Sequence, residues 1–360
     1  MVRIEDVLNT IGKLFPWELG EDDGISGVLQ RNPYAAVRRI LFSVFLTPDV
    51  IKIAEEKGFD ALFFYDSLIP LFLNRKSRQK VGGGDIFQKA CEFGITLIGC
   101  KKPLEEAQGG MADILADVFS LSGRRPIVPS EGASVFKIVV FVPHDYLEAV
   151  SKAMADAGAG RIGDYEHCGF RIEGFGTFLP GSQAKPFSGE VGKLNVEREV
   201  RLEMVVPSYR LERVLDAIIE SHPYEEVAYD VYKTENSPSY GAGRVGNFRE
   251  ARPLSEVIEN LSTYCGKEIV FDGNRNRLVQ RMAVLPDSAF SLVPLAFEAR
   301  SEVLVAGEVS SRDKLEAEVS GVIILEAGYE TLLGVLFRDV VSRIKDALAK
   351  EQLGIDVEVY

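Results

Sequence analysis

The chain has 360 residues, 46% of them apolar and 26% charged, with a formal net charge of -13. Such a length and balance describe folded domains with a sizeable core and exclude a chain dominated by disorder. The negative balance argues against nucleic acid or an anionic membrane as a partner, because basic pairs such as Arg38-Arg39 and Lys101-Lys102 are scattered and build no patch.

The first residues, Met1-Val2-Arg3-Ile4-Glu5-Asp6, run into an acidic amphipathic pattern rather than a basic segment followed by an apolar one, so no signal peptide is expected. A helix is predicted from residue 4, then a strand over 39–45, a helix over 48–57, a strand over 61–64, a helix over 85–93, a strand over 95–98 and a helix over 105–119. The longest apolar stretch, 61–73, is interrupted by Asp66 and Pro70 and is too short to span a bilayer.

The middle of the chain contains an internal repeat. Val135-Phe136-Lys137-Ile138-Val139-Val140-Phe141-Val142-Pro143 and Val200-Arg201-Leu202-Glu203-Met204-Val205-Val206-Pro207 both read as strands that end at a proline. Behind each comes one apolar helix face, Leu147, Val150 and Met154 in the first copy and Leu211, Val214 and Ile218 in the second. Each copy adds a further strand, near 169–178 and near 227–232, which gives the β-α-β-β-α-β order of a ferredoxin-like unit. Pro- and Gly-containing segments at 125–132 and 236–243 enter and leave it. After it follow a helix from residue 254, strands near 280–285, 303–306 and 321–325, and a long helix over 331–350. The predicted organisation is therefore an α/β scaffold in two halves, 1–132 and 236–360, interrupted by a ferredoxin-like insert at 133–235.

Three predicted strands end in polar residues: Tyr65-Asp66, Cys100-Lys101-Lys102 with Glu105 behind it, and Glu326-Ala327-Gly328-Tyr329-Glu330. Such strand ends are where open α/β sheets usually carry their sites, although Asp66 and Glu105 also read as ordinary helix-start or loop carboxylates. All three histidines, His144, His167 and His222, lie in the middle of the chain, and the flanks have none. The four cysteines, Cys91, Cys100, Cys168 and Cys265, form no CxxC pair and fit reduced thiols in a cytoplasmic protein.

The segment Asp60-Ala61-Leu62-Phe63-Phe64, the glycine-containing stretch from Leu104 to Ala116, and the segments Ala306-Gly307-Glu308 and Ala327-Gly328-Tyr329 together resemble the NGG-one-interacting-factor-three-like family. Its members are commonly called GTP cyclohydrolase type 2 homologues. The runs Gly163 to Cys168, Gly174 to Gly181 and His222 to Asp230 resemble the PII/CutA-like insert of the long bacterial branch of that family. The resemblance implies a dinuclear metal site built on a His-His pair, a His-Thr-x-x-Asp loop, and a Gly-His segment with a nearby glutamate. In this chain those positions hold Tyr65 and Asp66, Lys101 and Glu105, and Tyr329, with Leu332 or Leu333 near the place of the glutamate.

Zinc and iron need imidazole, thiolate or carboxylate in sets of three or four, and a phenol with a pKa of about 10 is a poor ligand. Only Asp66 and Glu105 retain anionic oxygen, enough at most for a weakly held divalent cation such as hydrated Mg²⁺, so no cofactor is expected. Lys101 or Lys102 either supplies the positive charge the metal once gave, paired with Asp66 or Glu105, or points into solvent. Asp287 or Ser288 suits a helix N-cap.

In the insert, His167, Cys168 and His222 with Glu225 or Glu226 either converge on a metal or small anion or serve structural roles, His222 capping the second helix and Cys168 as a small hydrophobe. Gly174, Gly176 and Gly181 mark bends in an extended hairpin, a feature that in PII-like proteins mediates trimer contacts or ligand sensing. The resemblance implies a homo-hexameric toroid with insert-mediated trimer contacts. The favoured reading is a member without catalysis, serving assembly, regulation or small-molecule binding. Two alternatives stay open: a divalent-metal hydrolase opening a purine nucleotide ring through Asp66 and Glu105, and metal or ligand sensing through the insert.

Overall fold

The computed structural model describes residues 2–20, 23–31, 36–67, 83–130, 134–162, 165–235, 240–288 and 292–360. Residues 68–73 of the long apolar stretch, Gly163-Asp164 of the insert motif, Ala289-Phe290, and residues 131–132 and 236–239 of the linkers lie outside the described residues. By contacts the chain divides into two compact units, one formed by Met1–Ser130 with Tyr240–Tyr360 and the other by Glu131–Ser239.

The first segment begins with helix α1 (Ile4–Leu14), which buries Ile4, Val7 and Ile11 on one face. Strands β1 (Gly27–Gln30) and β2 (Arg39–Phe45) follow, then helix α2 (Pro48–Glu56). Thr47 starts α2 by accepting a hydrogen bond from the Val50 amide, and Pro48 takes the first-turn position where a missing N–H does no harm. Strand β3 (Ala61–Asp66), helix α3 (Gly83–Glu92) and strand β4 (Thr96–Gly99) continue the alternation. The predicted helix over 105–119 is in fact two, α4 (Lys102–Glu106) and α5 (Met111–Val118). The break falls at Gly109 and Gly110: Gly109 has φ +78, and a Cβ at Gly110 would lie 2.4 Å from the Leu104 carbonyl oxygen. Strands β5 (Ser122–Arg125) and β6 (Val128–Pro129) close the segment.

The second unit runs β7 (Val135–Pro143), α6 (Leu147–Ala157), β8 (Gly169–Phe178), β9 (Asn195–Pro207), α7 (Leu211–Ser221) and β10 (Tyr229–Lys233). Its strands form one antiparallel sheet in the order β10-β7-β9-β8. The register pairs Ile138 with Met204, Val140 with Leu202 and Val142 with Val200. These residues share one face and pack with Val150, Met154, Val214 and Ile218, the apolar faces of the two helices. The opposite face carries Phe141, Arg201, Glu203 and Glu199.

The chain then returns through β11 (Gly241–Ala242), β12 (Arg244–Pro253), α8 (Leu254–Cys265), β13 (Leu278–Ser288), α9 (Val293–Glu298), β14 (Val303–Glu308), α10 (Ser311–Ser320), β15 (Ile323–Glu326), α11 (Tyr329–Lys350) and β16 (Asp356–Val359). The first unit thus contains two five-stranded sheets, β1-β4-β3-β2-β16 and β15-β14-β13-β12-β5. In the first, β16, β2, β3 and β4 are parallel, and in the second β13, β14 and β15 are parallel. Each sheet is completed across the sequence gap: β16 from the end of the chain pairs with β2, and β5 from before the gap pairs with β12. Neither half could satisfy its edge backbone groups in this way alone.

Helix α11 buries Leu332, Leu333, Leu336, Phe337, Val340, Val341, Ile344 and Leu348, an apolar stripe with helical spacing that is much of the unit's core. Among the described residues no helix is long and apolar enough to cross a membrane.

Candidate functional site

The carboxyl ends of parallel strands from both five-stranded sheets bring together Tyr65 and Asp66 at the end of β3, Lys101 after β4, Glu105 on α4, Asp287 near the end of β13 and Tyr329 at the start of α11. The Lys101 ammonium is their centre. Its Nζ lies 2.7 Å from Asp66 Oδ2, 3.3 Å from Glu105 Oε1, 3.5 Å from Asp287 Oδ2 and 3.3 Å from the Tyr65 hydroxyl. It also stands 4.6 Å from the centre of the Tyr65 ring, close enough for the ring face to contribute. The Tyr65 hydroxyl donates to Glu105 Oε1.

The lysine is held by its backbone as well as by its charge. The Lys101 amide donates to Ser26 Oγ at 3.0 Å and the Lys102 amide to Asp23 Oδ2 at 3.1 Å. Asp23 in turn accepts the Ile25 and Ser26 amides at 2.7 and 2.6 Å and the Ser26 hydroxyl at 2.5 Å. The turn between β4 and α4 is therefore fixed by a loop distant in sequence, and this fixes where the Lys101 side chain starts.

Side-chain exposure is 21% for Lys101, 17% for Asp66 and 19% for Glu105, so water screens these charges only in part. Burial raises the Glu105 carboxyl above its ordinary value, Lys101 opposes that shift, and Asp287 adds to it. Burial alone would weaken the Lys101 ammonium, but Glu105, Asp287 and Asp66 outweigh it and raise the lysine above its ordinary value. Burial, followed by the charges of Glu105 and Asp287, keeps the Tyr65 hydroxyl protonated well beyond the usual phenol range. Burial and Asp287 push Tyr329 up to about 12. At neutral pH the cluster thus holds a charged ammonium and two neutral phenols. It offers no phenolate ligand and no neutral amine that could act as nucleophile or base.

That donor set does not fit a pair of transition-metal ions. Its members include two phenols and an ammonium and no imidazole or thiolate, and Leu332 and Leu333 are fully buried in the core. Among the described residues no group of three or more His, Cys, Asp or Glu side chains is arranged to hold a metal ion. Asp66 and Glu105 share the ammonium instead of facing each other across an open position.

Asp287 corrects an expectation. It does not start a helix: α9 begins at Val293 with Leu292 in the N-cap position. β13 instead extends through Asp287 and turns its carboxylate to Lys101. Its position just beyond Leu285-Pro286, at a strand end like those of Asp66 and Lys101, was the available signal. Of the two lysines, Lys101 is the one that pairs with Asp66 and Glu105.

Among the described residues of the insert the candidate ligands are not assembled as a metal-binding group. His222 is buried with both ring nitrogens engaged: the Tyr224 amide donates to Nδ1 at 3.2 Å, which leaves Nε2 as the protonated nitrogen donating to the Phe141 carbonyl at 3.0 Å. Burial lowers its pKa, in keeping with a neutral ring. His167 is exposed in a left-handed turn with φ +56, and Cys168 Sγ contacts the Glu166 carbonyl at 3.9 Å. Glu225 accepts the Lys185 amide at 3.0 Å.

The chain is similar along almost its whole length to known proteins. It is 33% identical over 297 residues to a "GTP cyclohydrolase 1 type 2 homolog" of Bacillus subtilis, covering 81% of this chain and 79% of that one. A protein of the same name from Halalkalibacterium halodurans is 29% identical over 333 residues, covering 90% of this chain and 88% of that one. Among solved structures, a Bacillus cereus protein related to NIF3 superposes with a TM-score of 0.78 at 28% identity, covering 99% of this chain and 96% of that one. A Staphylococcus aureus protein with a TM-score of 0.68 at 22% identity, covering 100% and 96% of the two chains, shares the fold. The family described as Duf34/NIF3 (NGG1p interacting factor 3) matches residues 2–360, and the chain belongs to that family.

Proposed function

We propose that this chain is a metal-independent, non-hydrolytic member of its family, in which a lysine-centred charge cluster replaces the metal pair that the family resemblance implies. One observation carries the reading: Lys101 Nζ has three carboxylates and a phenol within 3.5 Å. A metal ion entering between Asp66 and Glu105 would meet that fixed positive charge. At a separation of ~4 Å the repulsion is roughly 4 kcal/mol per unit of the ion's charge in an effective dielectric near 20. The role left to the protein is assembly, regulation or small-molecule binding.

The assembly part of this reading is a homo-hexamer whose ferredoxin-like inserts meet one another. It is supported by β8, an edge strand that leaves Phe170 63%, Ile172 46% and Phe175 77% exposed, side chains that a second copy would cover. Light scattering on the purified chain should give the hexamer mass, and a monomer at micromolar concentration would reject this part.

Elemental analysis of tag-free protein, together with an assay for GTP ring opening in the presence of zinc, iron, manganese or magnesium, tests the rest. The expected result is no stoichiometric metal and no turnover. Stoichiometric metal that disappears on Asp66→Ala with Glu105→Ala would establish the hydrolase instead. Metal that disappears on His167→Ala or His222→Ala would establish sensing through the insert.

A further inference from the structure

The insert contains a pocket of about 440 Å³ on the sheet face opposite its two helices, a volume suited to a small organic molecule. Phe141, Phe178, Leu179, Pro186, Phe187 and Tyr224 give it apolar and aromatic walls. The Phe187 ring packs 5.9 Å from that of Tyr224, and Tyr146 meets Phe187 edge-on at 5.7 Å, so the aromatic wall is braced from behind.

One charged group is built into the wall. Glu199 on β9 is 8% exposed, and its Oε1 accepts the Tyr224 hydroxyl at 2.9 Å. Its Oε2 lies over Gly176, where a Cβ would be only 2.1 Å away, so the carboxylate can occupy this place only because residue 176 has no side chain. Among the described residues Glu199 forms no ion pair. The lining includes no lysine or arginine, and its other charged residues are Glu225 and Glu226. Arg201, whose guanidinium is 5.8 Å from the Phe141 ring, is already bound to Glu203 at 2.8 Å. This carboxylate, mostly shielded from water, receives a hydrogen bond from a phenol and has no counter-charge of its own among the described residues, and the pocket in front of it is where a counter-charge fits.

We propose that this pocket binds a small organic amine, a protonated primary or secondary ammonium carried on an apolar body. The ammonium would donate to Glu199, the aromatic rings would receive the cation and its apolar body, and the three carboxylates would exclude phosphates and carboxylic acids. A quaternary ammonium satisfies the charge but has no N–H to donate, so it ranks below the primary amine. This deepens the small-molecule part of the function proposed above and rests on it only in that the chain binds a ligand. Metal content and GTP turnover test that reading, and the titrations below test this one.

Calorimetric titration of the full-length chain with phenethylamine, against phenethyl alcohol and 3-phenylpropionate as isosteric neutral and anionic probes, is the experiment. Phenethylamine should bind at one site per chain, at least about tenfold tighter than the alcohol, and the acid should not bind. Glu199→Gln should remove the preference for amine over alcohol, and Gly176→Ala, which displaces the carboxylate, should weaken the amine by a similar factor. Equal binding of amine and alcohol, absence of amine binding at millimolar concentration, or an undiminished preference in a folded Glu199→Gln chain would each overturn the proposal. The comparison of probes on the unmodified chain stands even if a variant fails to fold.

Discussion

Arg244 and Asp113 form a two-pronged pair inside the first unit, Nε to Oδ1 at 2.9 Å and Nη2 to Oδ2 at 2.9 Å, with the arginine 2% exposed. The rest of the guanidinium donates to the Gly241, Gly243, Glu106 and Ala107 carbonyls. One side chain just after the insert thereby ties the returning chain to α4 and α5 of the first segment. Arg244→Met would leave the partly buried Asp113 with only Arg124, 3.9 Å away, as a cation among the described residues, and would take one donor from each of the Gly241, Gly243, Glu106 and Ala107 carbonyls. The expected loss is about 3–5 kcal/mol in urea unfolding. A loss below about 1 kcal/mol would mean the pair does not hold the two segments together.

Removing the Lys101 charge should be nearly as severe. Lys101→Met leaves Asp66, Glu105 and Asp287 facing one another without the ammonium they share, and the expected destabilisation is about 3 kcal/mol. The variant should also respond to pH in a stated direction. The folded value of Glu105 is already raised above its ordinary 4.5, so the native state holds that proton more tightly. Its contribution is fully present below 4.5 and lost as pH rises through the folded value. Loss of Lys101, which opposes the shift, raises the folded value further and moves that loss to higher pH. The melting temperature of the variant should therefore recover towards that of the unmodified protein on acidification, and an unchanged gap across the range would contradict the arrangement.

Tyr65→Phe keeps the ring under Lys101 and removes the hydroxyl that donates to Glu105. Hydrogen bonds to charged groups contribute about 1.5–3 kcal/mol, and a loss of about 2 kcal/mol is expected. Tyr329→Phe is the control. Its ring packs 6.2 Å from that of Phe45 and would remain there, so a smaller loss is expected. Chemical denaturation of both variants decides the order.

His222 gives the insert an acid limit. Burial depresses its folded pKa below 6.5, against the smaller opposing effects of the Phe141 hydrogen bond and Glu199. The unfolded chain then binds the proton more readily, so the stability from the neutral ring is fully present above 6.5 and lost as pH falls through the folded value. In proton NMR, one of the three histidine ring signals should titrate below 6.5 and disappear in His222→Gln. That variant should also flatten the pH dependence of insert unfolding. Three signals that all titrate at or above the ordinary value would reject the buried neutral ring.

Much of the architecture was legible in one dimension. The strand predicted over 39–45 is β2 (Arg39–Phe45), and the two repeated strands ending at Pro143 and Pro207 are β7 and β9. Periodicity and proline act within a few residues, so the local string contains them. The short strands β1, β5 and β16 were not foreseen, because their neighbours in the sheet are remote in sequence and each spans only four residues. The helix predicted over 105–119 was divided by Gly109 and Gly110, whose backbone requirement becomes visible only with the packed turn.

The candidate site divides in the same way. Sequence alone determined which residue types stand at the ends of β3, β4 and β15: without imidazole in the flanks, no ordering of Tyr65, Asp66, Lys101, Glu105 and Tyr329 supplies a set for zinc or iron. Tertiary structure alone decided that Lys101 is the lysine at the centre, that Asp287 joins it from the other sheet, and that Glu199, Gly176 and Tyr224 converge on one pocket. Composition limits which chemistry is possible, but a charge is strengthened or neutralised by what lies within a few ångströms, and that distance is set by how the sheets close.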